Sequence, residues 1–117
     1  MNERDPAYLW DIVEAAKELT GFLAGKQFPD LTSDKVLQLA VERELEVIGE
    51  AAARVSKEFR DAHPEVPWTR IIAQRNVIAH EYGEIQIELI WAVATERVPE
   101  LITLLEPLIP PVPEDEA

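Results

Sequence analysis

Leu37, Val41, Leu45, Ile48, Ala52, Val55 and Phe59 each come three or four residues after the last. Such a row cannot lie on one face of a strand, where side chains alternate with a period of two, but it makes a continuous stripe on a helix. It predicts a helix from about 34 to about 60, longer than most globular helices. A second row, Val36, Ala40, Val47 and Ala51, widens the apolar surface past one flank. That width predicts packing both within a bundle and against a second copy, so a homodimer is expected.

The same spacing recurs on both sides of this helix. Asp5-Pro6 predicts a helix start, with an N-cap acceptor and a proline in the first turn, leading into Leu9, Ile12, Val13, Ala16, Leu19 and Leu23. A loop is expected from Gly25 to Thr32, with Thr32 or Ser33 capping the long helix. The run His63-Pro64-Glu65-Val66-Pro67 interrupts the pattern, because each proline disfavours helix in the residue before it. A third helix starts near Trp68. A fourth runs from about 85 to about 108, with a kink expected where Pro99 removes a backbone donor and crowds the carbonyl of Thr95.

No alternating β pattern, repeat or glycine-rich phosphate loop interrupts this order. The expected fold is all-α, an antiparallel up-down bundle of four main helices. A single domain should span 1–109, followed by an acidic, proline-rich, disordered tail over 110–117. At 117 residues one domain can bury roughly two thirds of its unfolded surface without crosslinks, and there is no cysteine to form any.

The formal charge of -12 counts against a broad nucleic-acid platform. Arg54, Lys57, Arg60, Arg70 and Arg75 fall within 22 residues, which leaves room for one local basic patch. The first residues lack the basic-then-apolar order of a secretion signal, and no apolar run approaches the ~20 residues of a membrane span. The expectation is a soluble, cytoplasmic protein without membrane attachment.

Chemistry concentrates in Q-R-N-V-I-A-H-E-Y-G, residues 74–83. Arg75 occupies an apolar register, seven residues after Trp68 and four after Ile71. A guanidinium there needs a carboxylate or a phosphate, and Glu46 or Glu50 of the long helix could serve. Asn76 and His80 share a helical face. Arg75 and His80, five apart, diverge by about 140° on a regular helix, so they converge only at a helix end or across two copies. Tyr82 adds a hydroxyl. His63 is assigned to its turn. No spacing suits a metal, so neither metal nor cofactor is expected.

The series Arg75, Asn76, three further residues, His80, one residue, Tyr82 resembles the signature of HepT-like toxins in the HEPN superfamily of small helical bundles. The resemblance extends through L-E-V-I-G-E-A-A, H-P-E-V-P-W and V-P-E-L. It implies an all-helical homodimer with two Arg-His pairs in an interface cleft, acting as a metal-independent endoribonuclease. Arg75 and His80 would be catalytic, and Asn76 would orient His80 or the phosphate. It also implies the toxin half of a toxin-antitoxin system, neutralised by a MntA-like minimal nucleotidyltransferase antitoxin that transfers AMP to Tyr82. The alternative within the same resemblance is a non-catalytic dimeric adaptor or nucleotide-binding partner of such a transferase.

Overall fold

The computed structural model describes residues 3–80 and 87–110, with the side chains of 75–80 outside that description. The chain is all-helical, and no strand occurs among the described residues. Helix α1 spans Asp5–Leu23, a short α2 spans Phe28–Thr32, and the long α3 spans Lys35–Arg54. They are followed by α4, Lys57–Ala62, and α5, Trp68–His80. Helix α6, Ile87–Ala92, continues through a π-helical turn, Val93–Arg97, into α7, Val98–Leu105, and a final 3-10 turn.

The layers arise from the apolar stripes. Helix α3 is central and packs against α1 on one side and α5 on the other, while α7 closes over α1. Leu9, Ile12 and Leu19 of α1, Val41 and Ala52 of α3 and Leu105 of α7 are completely buried in one continuous core. Burying each of the larger aliphatic side chains contributes roughly 1.5–3 kcal/mol. The stripe of the central helix is therefore inside, as its spacing requires.

Four local expectations change. Asp5 does not cap α1: Arg4 holds the cap position, and Asp5 lies buried in the first turn. Its carboxylate accepts the Ser56 backbone N–H at 2.8 Å and the Ser56 hydroxyl at 2.6 Å. The second correction is tied to the first. The single helix expected over 34–60 is two, because Val55 turns extended and Ser56 caps α4 by accepting the Phe59 N–H at 3.2 Å. Val55 and Phe59 stay buried across the break, which is why the apolar spacing does not register it.

Third, the loop expected over 25–32 contains α2. Asp30 reaches back to accept the Gln27 N–H at 2.7 Å, and Leu31 anchors the helix in the core. Gly25, at φ 74°, makes the left-handed turn that separates α1 from it. Fourth, Asp34 rather than Thr32 or Ser33 caps α3, accepting the Leu37 N–H at 3.1 Å. Before Pro99 the helix contains the π turn. The Val98 N–H bonds to the Val93 carbonyl, five residues back, so the widened turn lies just before the residue that cannot donate.

The link to α5 is built on aromatic packing. Trp68 donates its indole N–H to the His63 carbonyl at 3.0 Å and meets Phe59 edge-on. The His63 ring lies against Phe59, and its Nδ1 is 3.1 Å from a Glu65 carboxylate oxygen. His63 thus has the turn role expected of it. The Glu65 carboxyl is held below its ordinary value, first by its own backbone N–H and then by His63.

Candidate functional site

Helix α5 carries Arg75, Asn76 and His80 in its last two turns. Trp68 and Ile71 fix its approach to the core, both buried, and Ile72 packs against the same cluster. The backbone is helical from Trp68 through His80. Arg75 and His80 therefore occupy one helix at positions about 140° apart, while Asn76 sits one turn before His80. Tyr82 falls outside the described residues.

The expected carboxylate partners are on α3. Glu46 is half-buried, with a carboxylate oxygen 3.6 Å from Arg43 on the adjacent turn, and Glu50 is exposed. With Glu42 they form the four-residue column seen in the sequence. Burial raises the Glu42 carboxyl above its ordinary value, Lys35 opposes the rise, and the charge of Glu46 adds to it. Among the described residues no group of histidine, aspartate or glutamate could hold a metal ion. No helix there is long and apolar enough to cross a membrane.

One turn before Arg75, a cleft of about 210 Å³ opens between α3, α5 and α7. Leu45 and Ile48 of α3, Ile71 of α5 and Leu101 of α7 make its apolar floor. Arg70 and Gln74 line it from successive turns of α5, and Arg97 and Glu100 from the opposite wall. Beside it, Lys57 and Arg60 of α4 line a second, shallower depression that also includes Arg70. Most of the expected basic patch is thus gathered at the α4–α5 junction, although Lys57 is engaged by Asp61 at 2.7 Å. The Arg60 Nε is buried without a hydrogen-bond partner among the described residues.

Gln74 and Arg97 were not among the expected site residues. Gln74 could have been found from its spacing, four residues after Arg70 and on the same face. Arg97 carried no such signal, because its position depends on the π turn.

Comparison with known proteins gives a consistent result. The family described as Ribonuclease HepT-like matches residues 12–108. A protein of Methanocaldococcus jannaschii named "Putative RNase MJ1380" is 35% identical over 102 residues, covering 86% of this chain and 94% of that protein. A protein of Thermococcus cleftensis named "Probable ribonuclease HepT" is 36% identical over 94 residues, covering 80% of this chain and 86% of its own length. A Caldanaerobacter subterraneus protein named "Putative RNase TTE0752" is 38% identical over 94 residues, covering 80% and 84%. No solved structure matches.

Proposed function

The chain belongs to the HepT-like family, and from that premise we propose that it is a ribonuclease, an endoribonuclease acting through Arg75 and His80 without a metal ion. The observation that carries this reading is the ordered set Arg75, Asn76, His80 and Tyr82, complete and inside the matched span of residues 12–108.

Neutral His80 takes the proton of a ribose 2′-OH, and the freed oxygen attacks the neighbouring phosphorus. The bond from phosphorus to the 5′-oxygen breaks, and a protonated histidine returns a proton to that oxygen. The ends are a 2′,3′-cyclic phosphate and a 5′-hydroxyl. Arg75 neutralises charge building on the non-bridging oxygens. Asn76, one turn before His80, orients the ring or the phosphate, and Glu46 and Glu50 supply supporting charge from α3. Because Arg75 and His80 diverge on α5, the site is shared in a homodimer, with the partner subunit's His80 as the acid. Val36 and Leu39, 77% and 54% exposed on α3, support such an interface.

In the cell the protein acts as a toxin whose antitoxin is a MntA-like nucleotidyltransferase. The Tyr82 oxygen attacks the α-phosphorus of ATP, pyrophosphate leaves and the phenolic proton is lost to solvent. The added phosphate, two residues from His80, repels an RNA phosphate from the same place. The deciding experiment incubates RNA with the protein in EDTA and maps the ends. Cleavage should vanish in Arg75→Ala and in His80→Ala with the helical spectrum intact; full activity in either variant removes these residues from the mechanism.

A further inference from the structure

The cleft between α3, α5 and α7 has a composition that the reaction itself does not use. Arg70 and Arg97 come from different elements, line the same opening and are both exposed. Neither forms a salt bridge among the described residues. The two guanidinium groups share this concavity with the carboxylates of Glu65 and Glu100, so the cleft pairs two cations with two anions, a local concentration of arginine in a chain of charge -12. Between them lies an apolar floor, which a phosphate alone would not need. Gln74 and Glu100 add an amide and a carboxylate at the rim, groups able to meet the donors and acceptors of a base edge. Gln74 directly precedes Arg75, so the cleft borders the proposed reaction centre along α5.

We propose that this cleft is a subsite for one nucleotide of the RNA strand, its base lying on Leu45, Ile48 and Ile71, its neighbouring phosphates held by Arg70 and Arg97, and its edge met by Gln74 and Glu100. Single-stranded recognition characteristically combines splayed-out bases with local cationic contacts, which suits an acidic protein with one small patch. Arg70 also borders the depression lined by Lys57, Arg60 and Asp61, where Lys57 is paired with Asp61, which leaves Arg60 and Arg70 as its excess positive charge. The inference rests on the ribonuclease reading and specifies where its substrate lies.

The test measures binding separately from cleavage. In a His80→Ala background, fluorescence anisotropy with a labelled single-stranded RNA reports affinity as a function of salt. Each phosphate contact on a single strand contributes about 0.7 to the slope of log affinity against log salt, so the Arg70→Ala/Arg97→Ala pair should lower that slope by about 1.4. Lys26→Ala, which removes an exposed charge outside both the cleft and the neighbouring depression, should leave it nearly unchanged. Leu104→Trp, which fills the cleft, should weaken binding at least tenfold. Gln74→Ala should reduce discrimination among homopolymers of the four bases.

If the paired arginine variant matches Lys26→Ala, the subsite is refuted while wild-type cleavage can still stand. If wild-type protein cuts no RNA, the ribonuclease reading fails whatever the anisotropy shows. Light scattering on the same variants adds one outcome: a change from dimer to monomer makes the cleft a contact between copies and overturns the proposal.

Discussion

Replacing Asp5 with alanine should be among the most damaging single changes in the molecule, although it lies far in sequence from every residue proposed for function. The carboxylate is buried and accepts two hydrogen bonds from Ser56, at 2.8 and 2.6 Å. Bonds to a charged acceptor contribute about 1.5–3 kcal/mol each, and the two share one group and do not add fully. A total loss of about 2–4 kcal/mol is expected. Per residue, unfolding entropy near 60 °C is roughly 2 cal/mol/K, so a chain of this size should melt about 8–16 °C lower. The assay is thermal and urea denaturation followed by circular dichroism, with all variants at equal protein concentration. Asp5→Asn should lie between wild type and Asp5→Ala, because the amide keeps one acceptor. Ser56→Ala removes both the hydroxyl partner and the α4 cap, costing about 1–2 kcal/mol. The double variant should lose less than the sum, with a coupling of about 1 kcal/mol or more. An Asp5→Ala protein within about 0.5 kcal/mol of wild type, or strictly additive losses, would refute the claim that this pair joins α1 to the α3–α4 break.

Two further outcomes concern surface and charge. Burial, then the charge of Glu18, raises the Glu44 carboxyl above its ordinary value, and its Oε2 is buried without a hydrogen-bond partner among the described residues. A raised carboxyl binds its proton more readily folded than unfolded, so its cost is present above the raised value and is relieved as pH falls through it. Glu44→Gln should therefore stabilise the protein at neutral pH, with the gain shrinking as the solution is acidified into the carboxylate range; a gain independent of pH across urea titrations would contradict that cause. Leu39→Glu, at a position 54% exposed on α3, should leave the protomer folded but convert the proposed dimer to monomer at micromolar concentration, as read by light scattering.

The fold was legible where a single physical signal decides. Leu45, Ile48 and Ala52 are inside because helical spacing leaves them no other shared face, and Trp68 opens α5 because the prolines before it cannot continue α4. What spacing could not show was the division at Ser56. The break is stabilised by Asp5, 51 residues away in sequence, and the buried row Ala52, Val55, Phe59 runs through it undisturbed. Asp5 had two plausible uses, cap or tertiary acceptor, and only the position of a distant serine separates them. Likewise a proline at 99 disturbs the preceding turn, and spacing alone does not specify that a π turn forms over Val93–Arg97.

The candidate site is read from its residue types, and the structure bears only on the backbone that carries Arg75, Asn76 and His80. The helical register separates Arg75 from His80, and α5 remains helical from Trp68 through His80, so the backbone offers no bend between the two that would bring them together. Under the proposal, a site shared by two copies satisfies both the chemistry and the register, the other route being a turn away from the helix axis at its end near His80. Arg70 and Gln74 obey the opposite geometry: four apart, they fall on one face and meet Arg97 across the cleft. If RNA binds as proposed, α5 divides its labour by register, with Arg70 and Gln74 on one face holding a nucleotide and Arg75 and His80 acting on the scissile phosphate. That division predicts separable defects. Arg70 and Arg97 substitutions should raise KM with kcat retained, whereas His80→Ala should abolish kcat and leave affinity for intact RNA near that of wild type. A loss of kcat in the arginine variants at saturating RNA would place them in the reaction itself and collapse the distinction between the two faces.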